Sequence, residues 1–370
     1  MKVEIIDLKQ RFKDEEIQIL KCIKRVLKKG NLILTPEVLN FEQSICKYTG
    51  LKYCLGLNSG TDALLMSLWS LGIKRGDEVI TSPISFIASV SSIIHVGAKP
   101  VFVDIGKDLN MNSDLIEEAI TNKTKAIMPV HWTGRICDMN KICKIAKKYN
   151  LKVIEDSAQA MGAFYKKKHA GTFGDISAFS THPLKNLNGL GDGGFITTNK
   201  KNLYNKIKLY RNHGLKGRDN VEVIGVNSRL DSLNAEVLNY RLKKLNKVIN
   251  KRQKNINLYK KLIKTTKVNI ISENSDKKNA NVMFIALCEE RDELQKYLKK
   301  FNVQALVYYK NLLYSHKATR YLNIDRKNFP VANSLVKKVL AFPHHQHLKR
   351  NEIEFVCKKI NNFYKKKILF

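Results

Sequence analysis

Along the first two-thirds of the chain, short runs of apolar residues alternate with longer stretches in which apolar positions recur every three or four residues. The strand-like runs are Tyr53 to Leu57, Glu78 to Thr81, Pro100 to Asp104, Lys125 to Val130, and Leu151 to Ile154. Between them lie helical patterns: one leading through Leu71, one from about Phe86, and an amphipathic one from Met139 to Tyr149. Thr35-Pro36-Glu37 places a capping residue before a first-turn proline, which predicts a helix to about Tyr48. This alternation predicts an α/β fold, a mostly parallel central sheet sandwiched by helices. Such units cross over right-handedly and gather ligands at the carboxyl ends of their strands.

From Asp231 to about Lys264 the spacing predicts one long helix, with Leu233, Val237, Tyr240, Leu242, Leu245 and Val248 as its apolar stripe. It leads into a region with a strand over Asn281 to Leu287 and helices over Arg291 to Phe301 and Glu352 to Tyr364. The expected organisation is a large domain over residues 1–249, N-terminal segment included, and a smaller α+β domain over 250–370. The chain shows no internal repeat and no low-complexity linker.

At 370 residues and 44% hydrophobic content the chain has enough apolar material for a sizeable core. Its most apolar stretch, Phe86 to Val103, is broken by Ser89, His95 and Lys99, and no run approaches the ~20 residues of a membrane helix. No apolar leader follows Met1, so the expectation is a cytoplasmic protein with no membrane partner. The cysteines (Cys22, Cys46, Cys54, Cys137, Cys143, Cys288 and Cys357) are odd in number and form no CxxC, which argues against a disulfide framework or a zinc site. A net charge of +33 raises the question of nucleic acid. Lysine far outnumbers arginine, however, and is spread over helix faces. Base-reading elements are lacking, so no nucleic-acid partner is expected. The field would still favour an anionic small molecule.

The chemistry concentrates between Gly171 and Gly194, where Lys185 stands among apolar and glycine residues while most other lysines sit in polar runs. Burial lowers an amine's pKa from about 10.4 and yields the free amine that attacks an aldehyde. A lysine after a strand is commonplace and carries little by itself. Upstream, Asp156 ends a strand where its carboxylate can pair with the pyridine nitrogen of pyridoxal phosphate (PLP). Asn58-Ser59-Gly60-Thr61 joins a strand to a helix, a place where bare backbone and helix amides meet phosphate, although a simple helix cap has the same look. Gly189, Gly191 and Gly194 satisfy GxGxxG but precede a strand instead of opening a helix, which rules out a dinucleotide fingerprint. His344, His345 and His347 are read as surface or substrate-side polar groups, not as metal ligands.

In order and spacing these segments resemble the DegT/DnrJ/EryC1/StrS family of PLP-dependent sugar aminotransferases, whose fold is that of aspartate aminotransferase (fold type I). The resemblance spans nearly the whole chain. It rests on Asn58-Ser-Gly-Thr-Asp-Ala-Leu64, Asp77-Glu-Val-Ile80, Pro129-Val-His131-x-x-Gly134 and Val153-Ile-Glu-Asp156-Ser-Ala-Gln159-Ala160. It continues in Gly174-Asp-Ile-x-x-Phe-Ser180, Lys185-Asn-Leu-x-x-x-Gly191-Asp-Gly-Gly194, Arg211-Asn-His-Gly214 and Asn227-x-Arg-Leu-Asp231.

The resemblance implies roles. Lys185 would form the Schiff base with PLP and move the proton during transfer; Asp156 would pair with the ring nitrogen and Gln159 with the ring hydroxyl. Gly60, Thr61 and Ser180 would hold the phosphate, and Phe86 would stack on the ring, although core packing at a helix start explains a phenylalanine equally well. Asn227 would complete the phosphate site of a neighbouring subunit, which implies a homodimer with shared active sites. Where the family often has Tyr-Pro-Pro-Leu-His, this chain has Tyr308-Tyr309-Lys310-Asn311-Leu312. Where many members have Phe-Tyr-Pro or Phe-Asn-Gly, it has Thr181-His182-Pro183, and Pro343-His344-His345-Gln346 lacks the usual second proline. These departures touch substrate contacts and make His182 and Tyr309 candidates for them, with a structural polar role as the other reading.

The expected activity is transfer of an amino group from glutamate, through pyridoxamine phosphate, to a nucleotide-linked 3- or 4-keto-6-deoxyhexose for amino-sugar and surface-polysaccharide synthesis. Lysine at 185 speaks against the family's dehydrases, which carry histidine there. Two alternatives stay open: a keto sugar without a nucleotide, such as a sugar acid or inositol, and a PLP-binding regulatory protein.

Overall fold

The computed structural model describes residues 1–272 and 274–366. Its strands are β1 (Tyr53–Leu57), β2 (Glu78–Thr81), β3 (Lys99–Phe102), β4 (Thr124–Met128), β5 (Lys152–Asp156), β6 (Phe164–Tyr165), β7 (Lys168–His169), β8 (Ile176–Ser180), β9 (Gly194–Thr198), β10 (Val268–Ile270), β11 (Lys277–Lys278), β12 (Phe284–Cys288) and β13 (Val339–Phe342). The α-helices are α1 (Leu8–Leu27), α2 (Pro36–Thr49), α3 (Gly60–Ser70), α4 (Ala88–His95), α5 (Met139–Lys148), α6 (Lys201–Tyr210), α7 (Ser232–Leu242), α8 (Leu245–Leu262), α9 (Arg291–Lys300), α10 (Pro330–Leu335) and α11 (Arg350–Lys366).

Seven strands form the central sheet in the order β1-β9-β8-β5-β4-β2-β3. The pairings from β8 through β5, β4 and β2 to β3 are parallel, and β9 alone runs against its neighbours β8 and β1. This is the mostly parallel α/β sheet that the alternating pattern predicts. Its strands are buried almost end to end, as layers of helices on both faces require. Local chemistry sets the helix ends that matter for the site. Ser59 caps α3 by accepting from the Asp62 amide at 3.0 Å, and Pro36 opens α2, which closes on Gly50 at φ +79°. In α5, Met139, Ile142, Ile145 and Ala146 point into the core while Lys144 and Lys147 face water.

A second sheet, β10-β12-β13, forms the other core with α8, α9 and α11 packed on it. Helix α8 serves both: Ile249 packs in the first core, Ile256 and Tyr259 in the second, so residues 249 and 250 lie inside one helix. Val3 pairs with Val303, which sets the first residues of the chain against the second core.

Three expectations need correction. The stretch from Asp231 to Lys264 is two helices, α7 and α8, separated at Lys243–Lys244. Helix α7 is buried on nearly all sides between α1 and α2, whereas α8 exposes one face, and the break lets each bury its own set. The predicted strand at Asn281 begins only at Phe284, because Asn281 is left-handed (φ +54°) and its carbonyl receives His344 and Arg252 instead of a strand partner. Helix α1 has no counterpart in the predicted pattern. Its buried positions Arg11, Glu15, Ile19, Cys22 and Val26 include two charges, which hide the stripe. No helix among the described residues is long and apolar enough to cross a membrane.

Glu15 is shared by two buried guanidiniums, Arg11 at 3.4 Å and Arg241 at 2.9 Å. Burial and the neighbouring Arg241 cation pull the Arg11 pKa down to about 10. Replacing Glu15 with glutamine would leave both cations without a counter-charge and is expected to lower the unfolding free energy by about 3 kcal/mol. A urea titration reads this as a lower midpoint at unchanged slope; an unmoved midpoint would show that the cluster contributes nothing.

Candidate active site

The carboxyl ends of β4, β5 and β8 open onto one cavity, lined by Gly60, Thr61, Phe86, Asp156, Gln159, Ser180, His182, Lys185 and Tyr309 among others. Of the residues singled out in the sequence, only Asn227 stands outside it. Asn227 is exposed and paired through its backbone with Asn212, on a segment that would have to reach the cavity of a second copy.

Lys185 follows β8 on a loop held from behind. Arg241 donates to the carbonyls of Asn188 and Gly189 at 2.8 and 3.0 Å, and Arg252 donates to the Asn186 side chain at 2.6 Å. Burial brings the Lys185 pKa down to about 8, against the pull of the Asp156 carboxylate. A free amine is therefore within reach near neutrality.

Asp156 ends β5 fully buried. Ser89 Oγ donates to its Oδ2 at 2.6 Å and the Ala158 amide to its Oδ1 at 3.2 Å. Burial pushes its carboxyl pKa up, and those bonds together with Lys185 and His131 push back. The adjacent Glu155 points to the opposite side of the strand. It accepts the amides of Gly171 (2.7 Å), Phe173 (2.8 Å) and Gly174 (2.7 Å), and it faces His131 Nε2 at 3.0 Å. His131 Nδ1 accepts from the Cys137 amide at 3.3 Å, so its proton sits on Nε2 and is donated to Glu155.

At the other end of the cavity α3 begins. A Cβ on Gly60 would lie 2.7 Å from Ser180 Cβ, so only glycine lets the start of the helix and the Ser180 hydroxyl share this corner. Bare backbone, a helix N-terminus and two hydroxyls (Thr61 and Ser180) form an anion cradle. Phe86 is 55% exposed toward the opening, so core packing does not explain it. His182 is exposed at the rim; its Nδ1 accepts the Leu184 amide at 3.2 Å, which puts the proton on Nε2, and burial with Lys185 nearby lowers its pKa.

The residues present fit PLP in three ways: a half-buried lysine with a lowered pKa, a buried carboxylate that forms no ion pair among the described residues, and a cradle that a Cβ would fill. Several lining residues escape the sequence reading. Ser89, one helical turn after Phe86, could have been found by that spacing; His131 lies in a quoted motif without a role. Asp192 likewise lies in a quoted motif without a role, and Ile6 and Met283 carry no sequence signal. His344 and His345 are buried rather than at the surface, because they pack beside Arg252 and their carbonyls receive the Asn255 side chain.

A model of the DegT/DnrJ/EryC1/StrS aminotransferase family matches residues 13–361. The chain is 38% identical over 362 residues to a dTDP-3-amino-3,6-dideoxy-alpha-D-galactopyranose transaminase of Aneurinibacillus thermoaerophilus, covering 98% of this chain and 99% of that protein. It is 35% identical over 369 residues to a pleiotropic regulatory protein of Geobacillus stearothermophilus, covering 99% of each. Among solved structures it resembles DesV of S. venezuelae in complex with a ketimine intermediate, with a TM-score of 0.95, 32% identity and 98% of both chains covered.

The pKa of Lys185 has a direct consequence in the cofactor-free protein. Below about pH 8 the amine is protonated and inert; above it the free amine dominates. Labelling with trinitrobenzenesulfonate, followed by peptide mapping, is expected to reach half-reaction at Lys185 near pH 8, while surface lysines require about pH 10. A Lys185 that titrates with the surface lysines would mean that burial does not act on it.

Proposed function

The chain belongs to the DegT/DnrJ/EryC1/StrS aminotransferase family and is a PLP-dependent transaminase; from that premise we propose that it moves the amino group of glutamate to the keto group of a nucleotide-linked 3- or 4-keto-6-deoxyhexose. The observation that carries this reading is Lys185, a half-buried amine with its pKa lowered to about 8, in one cavity with Asp156 and the start of α3. PLP, when bound there, supplies an aldehyde that captures amines and a ring that accepts an electron pair.

The chain's own residues do the rest. Lys185 Nζ would hold the cofactor between turnovers and would take the proton from the amine-bearing carbon of the donor and return one on the acceptor side. Asp156, aimed by Ser89 and the Ala158 amide, would pair with the ring nitrogen. The α3 amides, Thr61 and Ser180 would hold the phosphate, Phe86 would stack on the ring, and Gln159 would pair with the ring oxygen. His182 offers Nε2–H at the rim, where a sugar hydroxyl or a diphosphate oxygen would accept it. Among the described residues no arginine lines the cavity, whereas Ile6, Leu184, Val282 and Met283 do. This wall suits a deoxy methyl group better than a sugar carboxylate, and the Aneurinibacillus relative is named for a 6-deoxy sugar.

The reading includes a homodimer with shared sites. Apolar side chains stand exposed along the N-terminal segment (Ile17, Leu20, Ile33 and Leu39) and at Ile224, three residues from Asn227. It also places the reaction in the cytoplasm, in keeping with seven unpaired thiols. The proposed division into domains at residues 249 and 250 falls within α8, which packs in both cores.

Two measurements test this. Purified protein with PLP should show a long-wavelength absorption band that glutamate bleaches and that Lys185→Ala lacks. A Lys185-dependent band indifferent to glutamate would replace the donor, and no band in the wild type would end the reading. In light scattering the wild type should have the mass of two chains, and Ile224→Asp should raise the dimer dissociation constant at least tenfold, an effect of about 1.4 kcal/mol or more. A wild type that is monomeric while active would remove the shared site.

A further inference from the structure

Gln159 is turned by an uncommon piece of backbone. Thr133 is β-branched, yet it sits in the left-handed region at φ +62° and ψ +7°. A β-branched residue there is strained, and strain of this kind persists only where its surroundings enforce it. The conformation delivers the Thr133 amide to Gln159 Oε1 at 2.7 Å. The acceptor end of that side chain is thereby used, and the donor end, Nε2, is presented to the cavity.

The small-sheet half of the chain places a phenol at the same spot. Leu306 bridges to Ala341 of β13, and the segment that follows carries Tyr309 into the cavity. Its ring lies 6.5 Å from that of Trp132 at 25° and 6.2 Å from that of Phe86 at 40°, which fixes the ring on two sides. Its hydroxyl is within hydrogen-bonding reach of the Gln159 side chain and feels the Asp156 charge; burial raises its pKa, so it stays a neutral donor.

We propose that Tyr309 and Gln159 act as one unit in which Gln159 Nε2 and the Tyr309 hydroxyl together present donors to the ring oxygen of PLP, making Tyr309 a cofactor-positioning residue and not a sugar contact. The inference rests on the PLP reading of the cavity. Two neutral donors draw charge from the ring oxygen and so weaken its hold on the proton of the Lys185 nitrogen. With the phenol removed that proton is held more tightly, and the pH at which the visible band changes form rises.

The test uses PLP-loaded enzyme without substrate: wild type, Tyr309→Phe, Gln159→Leu and the double variant, each titrated with pH by visible absorption. Tyr309→Phe removes one oxygen and keeps both ring contacts, and thermal unfolding checks that it remains folded. The expected result is a midpoint about one pH unit higher in Tyr309→Phe, the size of one hydrogen bond to a charged group. The double variant is expected to move less than the sum of the singles. A midpoint unchanged in Tyr309→Phe, with only the acceptor KM raised, would overturn the inference and make Tyr309 a substrate contact. A wild type that forms no band would overturn the cofactor reading and this inference together.

Discussion

The site depends on one buried carboxylate that does no chemistry in the proposed reaction. Glu155, itself shut off from water, accepts hydrogen bonds from three amides of residues 171 to 174 and from the buried His131. Leaving such a charge unpaired would cost several kcal/mol, so four donors at once make this junction hard to rearrange. Side chains alternate across a strand, so fixing Glu155 on one face of β5 fixes Asp156 on the other. The same contacts tie the end of β4, through His131, to the turn that leads into β8. The carboxyl ends of β4 and β5 are thus tied to the turn that enters β8, and the cavity opens at the carboxyl ends of all three strands.

Behind Lys185 a second arrangement holds the loop. Arg241 and Arg252 come from α7 and α8, and both donate to the segment from Asn186 to Gly189. Arg252 is buried and donates to the side-chain amides of Asn186 and Gln346 and to the carbonyls of Asn281 and Val282, all neutral groups. Burial and the Arg11 cation lower its pKa to about 9. Because Asn281 lies just before β12 and Gln346 just after β13, this side chain couples the lysine's loop to the smaller sheet. The break between α7 and α8 permits the two arginines to approach that loop from different directions.

The net charge of +33 plays little part in this architecture. Most surface ion pairs, such as Lys148 with Glu117, join exposed groups that contribute little to stability. The charges that matter are the few inside: Glu15 between two arginines, Glu155 among amides, and Asp156 facing Lys185. The general positive field favours anionic molecules near the surface. The cavity itself carries one lysine and two histidines against Asp156 and Asp192, so selectivity there is a matter of shape and directed hydrogen bonds.

Much of this was legible in the residue order. Period and punctuation gave the α/β alternation, because a fully buried parallel strand must be apolar throughout and a covering helix must be amphipathic. Glycines and short motifs marked Gly60, Asp156, Ser180 and Lys185, since close backbone approach and buried charge restrict which residues can stand there. Tertiary structure alone decided the rest. Helix α1 buries Arg11 and Glu15, whose partner Arg241 is more than two hundred residues away, so no local pattern reveals it. Asn281 trades its place in β12 for bonds to His344 and Arg252. Phe86 proves exposed, and Tyr309 reaches Gln159 only because the second sheet carries it there. Local order records what each segment needs to bury; which distant side chain satisfies that need is settled only when the layers pack.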